Sequence, residues 1–262
     1  MTNVLFSGCS YFAGAGLAGE KANDDNVVNV FSKEAFGACT VNNIAENGNS
    51  NLTIYTDTAA AMYEQHYDYV FVGITSYPRY NFYMGFEPYD FKRRVVFSPF
   101  SKTFSEHNGH SGEFSSAWLQ DLRNKFLAVH NDHFEILEII KYQNLLLNQA
   151  KLLGTKLYFV NNLAHWDQGY FTKANNTEAF AYTLYTKKLL DFENRNDDEI
   201  NTLYNLMHTD YSKLGSVQEQ HWLNLYEPFL TRITDLGSDH YHPGPRSHRE
   251  FGKFLAGQLN NI

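Results

Sequence analysis

Three residues at the two ends of this chain could do chemistry together. Ser10 lies in Val4-Leu5-Phe6-Ser7-Gly8-Cys9-Ser10-Tyr11-Phe12-Ala13-Gly14-Ala15-Gly16-Leu17, and Asp239 and His242 lie in Asp239-His240-Tyr241-His242-Pro243-Gly244. An alcohol is a poor nucleophile at neutral pH unless a base takes its proton and a further group orients that base. Asp239 and His242 have the D-x-x-H spacing of such a base and its carboxylate on one turn. The placement of Ser10 also suits a nucleophile. Val4 to Phe6 is a short apolar run that reads as a buried strand, and Ser7, Gly8 and Ser10 break strands and start helices. A serine at a strand-to-helix handover projects from the carboxyl edge of the sheet, where open α/β sheets bind their ligands. Backbone N–H groups and the positive helix end lie beside it, ready for a developing anion. The plainer alternative is that Ser10 only caps a helix.

Gly8-Cys9-Ser10 and Asp239-x-x-His242 together resemble the SGNH, or GDSL-type, hydrolase family, which places its serine after the first strand and its D-x-x-H before the last helix. Two middle blocks match as well. Asn47-Gly48-Asn49-Ser50 resembles the block that supplies the family's glycine, and Gly73-Ile74-Thr75 resembles its G-x-N block. The blocks occur in the family's order and span nearly the whole chain. Cys9 stands where the family has aspartate, and Thr75 where it has asparagine.

The resemblance implies a role for each residue. Ser10 is the nucleophile, His242 the general base and then general acid, and Asp239 the carboxylate on His242 Nδ1. The oxyanion is held by the backbone N–H groups of Ser10 and Gly48, with the Thr75 hydroxyl as a third donor. Such donors contribute roughly 2.7–4 kcal/mol each in the transition state. A threonine hydroxyl is shorter than an asparagine amide and can spend its proton on the backbone instead. The implied reaction is ester hydrolysis through an acyl-serine intermediate, with no cofactor and no metal. Family members act on acetylated sugars, lipids, thioesters and other acyl compounds. The departures at Cys9 and Thr75 motivate a rival from another class, in which the fold serves as a binding or structural module of a larger assembly.

Other residues compete for attention. A thiol nucleophile at Cys9 is disfavoured, because a shift of one residue rotates the side chain away from the site, and buried cysteines usually act as small hydrophobes. Asp239, His240 and His242 could chelate a metal, since imidazoles two apart on a strand suit zinc, but no further protein ligand stands out. His130, His133, His208 and His221 read as helix-surface or packed residues. Arg79 reads as a loop salt bridge or as a partner for an acidic substrate group.

The elements that must position these residues alternate. A helix is predicted over 31–38, a strand over 39–44, a helix over 52–63, and a strand over Tyr69-Val70-Phe71-Val72-Gly73-Ile74, which is β-branched and aromatic throughout. A helix over 134–153 is stopped by Gly154, and a fourth strand covers 156–160. Strand–helix alternation predicts a parallel sheet wound with helices, a three-layer α/β/α sandwich of the flavodoxin-like sort. Two stretches interrupt it. One, about 76–115, is dense in aromatics and reads as a lid, a wall or a satellite core. The other, about 165–230, carries predicted helices over 177–192 and 197–207. Another helix begins at Trp118, and His248 to Leu259 closes the chain as a helix. No fifth strand is evident before Asp239, and 229–233 is a poor candidate. The chain reads as a single domain, 1–262, with two insertions.

Composition bounds the function. Charged residues make up 19 % of 262 and aromatics 16 %, which is a globular balance. The net charge of −8, 21 basic against 29 acidic residues, argues against a nucleic-acid partner. Lys92-Arg93-Arg94, the one compact basic run, reads as a surface loop. Cys9 and Cys39 fall at opposite edges of a parallel sheet, so no disulfide is expected. No signal peptide and no membrane-length apolar run is expected. The expectation is a cytoplasmic protein, unless it travels within a larger particle, with a small-molecule or glycan ester as its partner and its oligomeric state open. The aromatic stretch leans the substrate towards a sugar ester.

Overall fold

The computed structural model describes residues 1–75, 80–83, 94–97, 121, 125, 132–161, 222–224, 234–240 and 242–260. Contacts divide the chain into two units. The first holds residues 1–76, 141–167 and 217–262, and the second holds residues 77–140 and 168–216.

In the first unit, β1 (Thr2–Ser7), β2 (Cys39–Asn43) and β3 (Tyr69–Ile74) pair in parallel, β2 and β3 lying on either side of β1. The remaining strands need elements from the whole chain. After β4 (Tyr80–Tyr83) and β5 (Arg94–Phe97), which belong to the second unit, β6 (Lys156–Asn161) pairs with β3, and β7 (Trp222–Asn224) pairs with β6, again in parallel. The sheet of the described residues thus runs β2-β1-β3-β6-β7. That is the flavodoxin-like order, with the chain reversing direction across the sheet between β1 and β3.

Helices cover both faces. The helices are α1 (Ser10–Ala13), α2 (Val27–Phe36), α3 (Asn51–Glu64), α4 (Asp132–Leu153) and α5 (Pro245–Leu259). Side chains of a strand alternate between faces. One face sends Val4, Phe6, Phe71 and Val160 into a cluster with Val27, Val28 and Phe31 of α2 and Phe251, Leu255 and Ala256 of α5. Phe6 stacks on Phe71 at 5.0 Å and meets Phe12 and Phe31 edge-on at 5.6 Å. Each fully buried ring of this kind contributes about 1.5–3 kcal/mol. The opposite face packs on α3 and α4. Ser7 Oγ donates to Ile54 O, Phe159 meets Tyr55 edge-on at 6.4 Å, and Gln143 Nε2 donates to the buried Tyr55 hydroxyl at 3.1 Å. The expected three layers are therefore present.

Two helix starts and one strand differ from the sequence expectation. Helix α2 begins at Val27, not Phe31, because Asn26 caps it by accepting the Val28 N–H at 2.8 Å. Helix α5 begins at Pro245, where proline suits the first turn. A fifth strand does exist: β7 is only three residues long and lies at 222–224, ahead of the stretch considered. Cys9 and Cys39 are both free thiols, one after the carboxyl end of β1 and one at the start of β2, as expected.

In the second unit, β4 and β5 form an antiparallel pair with Tyr80 opposite Phe97. Asp121 and Lys125 are helical and joined by an ion pair of 2.7 Å. Residues 98–120 and 162–221, with the helices predicted at 177–192 and 197–207, lie outside the described residues, as do Arg79, Lys92, Arg93, His130, His208, His221 and residues 229–233.

Candidate active site

Strand β1 delivers Ser10 to the carboxyl edge of the sheet. The chain turns through Gly8 and Cys9 into α1, a single turn closed by Gly14 at φ 80°. Cys9 occupies the N-cap position without a side-chain capping bond, and Ser10 is the first helical residue. Helix capping therefore does not account for Ser10. Cys9 is fully buried and Ser10 is 7 % exposed. Asparagine amides hold the short turn in place. Asn26 Nδ2 and Asn43 Nδ2 both donate to Phe12 O, at 3.2 and 2.7 Å, satisfying a carbonyl that a one-turn helix leaves open.

Asp239 and His242 sit on a tight loop closed by the Leu236–Pro243 β-bridge, just ahead of α5. Gly237 N–H donates to His242 O at 2.8 Å, and His240 takes φ 59° at the tip of the turn. This folds Asp239 onto His242. Asp239 Oδ2 meets His242 Nδ1 at 2.6 Å, and Oδ1 accepts the His242 backbone N–H at 3.0 Å. Both carboxylate oxygens are thus committed to one histidine. With Nδ1 facing the carboxylate, Nε2 is the ring nitrogen left to take a proton. Both side chains are about one-third exposed.

A second carboxylate anchors this loop. Asp235 Oδ1 accepts the N–H and hydroxyl of Ser247 at 2.8 and 2.7 Å, and Oδ2 accepts Arg246 N–H at 2.9 Å. Burial alone would raise its pKa, but these donors and the Arg249 charge outweigh it and hold the carboxyl below its ordinary value. Asp235 thus caps the N-terminus of α5, where negative charge is favoured.

The loop docks on the segment that follows α1. Ser238 N–H and Oγ–H both donate to Gly16 O, at 2.9 and 3.2 Å. Gly16 and Gly237 lie backbone to backbone, and a Cβ on Gly237 would come within 2.7 Å of Gly16 Cα. The Tyr11 ring, next to Ser10, meets the His242 ring edge-on at 6.2 Å. The structure thereby brings the two ends of the chain together. Among the described residues, no hydrogen bond joins Ser10 Oγ to His242.

The other proposed donors lie at neighbouring strand ends. Gly48 turns the chain at φ 78°. Thr75 follows β3 directly and is fully buried, and its backbone N–H donates to Asn51 Oδ1 at 2.9 Å. Among the described residues, no three His, Cys, Asp or Glu side chains form a group able to hold a metal. His240 is exposed, and His242 Nδ1 is engaged by Asp239.

The serine block follows the first strand, the D-x-x-H pair precedes the last helix, and the sheet order is flavodoxin-like. The fold is a flavodoxin-like α/β/α sandwich. No protein-family model matches the chain, and no curated protein matches it. Solved structures do. A carbohydrate acetylesterase family member from Sinorhizobium meliloti is 12 % identical, with a TM-score of 0.47, covering 100 % of this chain and 98 % of its own. A psychrotrophic esterase from Pseudoalteromonas is 7 % identical, also at 0.47, covering 100 % and 98 %. A member of the lipolytic G-D-S-L family from Veillonella parvula is 10 % identical at 0.46, covering 100 % and 99 %. Among the described residues, no helix is long and apolar enough to cross a membrane.

Several residues of the site escape a sequence reading. Gly16 and Gly237 have no signal beyond being glycines beside the two blocks. Asp235 lies well upstream of Pro245, outside the N-cap position held by Gly244, so nothing local marks its bonds to Ser247. His248, the first residue of the expected last helix, carries no further signal in the sequence. It is buried, its Nδ1 accepts the Val27 N–H at 3.2 Å, and burial pushes its pKa down to about 4.

Proposed function

We propose that the protein is a serine ester hydrolase. One observation carries this reading: the Asp239–His242 pair, 2.6 Å apart, is docked on Gly16, in the segment that continues from the Ser10 turn. A carboxylate that fixes the imidazole tautomer beside a serine at a helix start is the arrangement an acyl-serine mechanism needs. Ser10 Oγ attacks the ester carbonyl while His242 Nε2 takes its proton. The carbonyl oxygen becomes an anion facing the backbone N–H groups of Ser10 and Gly48, with the Thr75 hydroxyl as third donor. His242 then protonates the leaving alcohol, and the C–O ester bond breaks. Water, deprotonated by His242, releases the acid and regenerates Ser10.

Acyl or acetyl esters of carbohydrates are the substrate class we favour. The reason is the aromatic density of residues 76–115, because flat rings suit sugar faces. The reaction uses no cofactor. The test is hydrolysis of p-nitrophenyl acetate by the wild type and by Ser10→Ala. Activity that disappears in the variant, with an unchanged melting temperature, supports the assignment. Equal activity in purified variant and wild type would remove it.

A further inference from the structure

The Asn47-Gly48-Asn49-Ser50-Asn51 segment places two buried amides, Asn49 and Asn51, directly after the Gly48 turn. Asn49 is 1 % exposed and its Nδ2 donates to Gly8 O at 3.1 Å. Gly8 O already accepts Glu46 N–H at 3.2 Å, so satisfying that carbonyl does not require Asn49. Asn51 is 3 % exposed, and its side chain makes two bonds to one residue. Its Oδ1 accepts Thr75 N–H and its Nδ2 donates to Thr75 O, both at 2.9 Å. A primary amide used in this way copies a β-bridge, extending the pairing of β3 one residue past Ile74. Helix capping does not explain Asn51 either. Ser50 is the N-cap of α3 and accepts Thr53 N–H, and asparagine is a poor helix former.

The consequence is geometric. The turn at Gly48 is strapped to Gly8, two residues before Ser10, by one asparagine and to Thr75 by the other. We infer that Asn49 and Asn51 are positioning residues: together they fix the Gly48 turn relative to Ser10 and Thr75, and so set the spacing of the oxyanion donors. This rests on the serine-hydrolase reading of the same site. Neither asparagine touches the substrate. Their effect passes through donor placement, which acts on the transition state rather than on ground-state binding.

Asn49→Asp and Asn51→Asp keep the shape and delete the donated bond. The experiment measures kcat and KM on p-nitrophenyl acetate, the rate at which a fluorophosphonate labels Ser10, and the melting temperature. We expect kcat to fall by about ten- to a hundredfold in each variant, with KM little changed and labelling slowed in parallel. Asn49→Ser and Asn51→Ser, shorter and uncharged, take their place if an aspartate variant melts below the assay temperature. Folded variants with wild-type kcat, or with the loss confined to KM, would overturn the inference and leave the hydrolase reading intact. A wild type with no Ser10-dependent turnover removes the hydrolase reading and this inference with it.

Discussion

Gly16 and Gly237 touch through their backbones, and this contact joins the serine end of the chain to the histidine end. A Cβ on Gly16 would meet Asp239 Oδ1 at 3.1 Å and His242 Cβ at 3.2 Å, and one on Gly237 would meet Gly16 O at 2.7 Å. The approach leaves no room for a methyl group on Gly237, while one on Gly16 would be crowded and strained by its φ of 86°. Gly237→Ala should therefore push the D-x-x-H loop away from Ser10. We expect a stability loss of about 1–3 kcal/mol, as for overpacking elsewhere, and a rate loss larger than that figure alone explains. Melting temperature and esterase rate measured on one preparation check this. An alanine variant with normal rate and stability would show that the loop does not need the contact.

Asp239→Asn should preserve the fold and cripple the reaction. The amide can still accept the His242 backbone N–H, but it offers the ring the wrong partner and favours the wrong tautomer. A loss of about four orders of magnitude in kcat is the scale for such a change in a triad. His240→Ala should be far milder, since His240 is exposed at the tip of the turn. A steady-state comparison of the two variants decides it, and greater sensitivity at His240 would contradict the Asp239–His242 assignment.

The parts of this site that could be read from sequence are those set by local pattern. Val4–Phe6 and Tyr69–Ile74 announce buried parallel strands through their apolar runs, and so locate Ser10 and Thr75 at strand ends. The D-x-x-H spacing announces a loop that can fold back on itself. What could not be read depends on chain segments meeting in space. The Gly16–Gly237 contact joins residues from the two ends of the chain, and nothing local marks it. Strand β7 is three residues long and shows no periodicity over that span. The N-terminus of α2 was hidden because Val27 and Val28 are β-branched and follow a polar stretch, while the decisive cap is the Asn26 side chain. Asn49 and Asn51 look like turn residues in sequence, and only the fold shows which backbone groups they bind.

Thr75 stands where the SGNH resemblance leads one to expect asparagine. Its backbone N–H is taken by Asn51, so any donation to the oxyanion must come from its hydroxyl. Thr75→Val removes that hydroxyl at nearly constant volume. As a working donor it should cost roughly 2.7–4 kcal/mol of transition-state stabilisation, about a hundred- to a thousandfold in kcat/KM. Thr75→Asn should keep or raise the rate. If both variants match the wild type and stay folded, Thr75 lies outside the oxyanion hole.

His248 should make stability fall in mild acid. Its ordinary value of 6.5 drops to about 4 in the fold, first through burial and then through the His242 charge, with Asp235 and Asp25 opposing. The unfolded chain therefore binds this proton more readily than the native one. The contribution is fully present above pH 6.5 and is lost progressively as pH falls towards 4, by roughly 3 kcal/mol over the window. Protonation also costs the acceptor that Nδ1 offers to Val27 N–H. His248→Gln keeps an acceptor and cannot titrate, so its urea-unfolding free energy should vary less between pH 7 and pH 4. An equal slope in both proteins would assign the acid sensitivity to other groups.

The central claim is that Ser10 is an activated nucleophile. The measurement that tests it most directly is labelling of the wild type with a fluorophosphonate probe, followed by peptide mapping. A phosphonylating agent forms a bond to serine Oγ only where a base removes the proton and donors receive the anion. The account predicts a single adduct on the peptide carrying Gly8-Cys9-Ser10, with labelling lost in Ser10→Ala and strongly slowed in His242→Ala. A folded wild type that takes no label, or takes it at another serine, would contradict it.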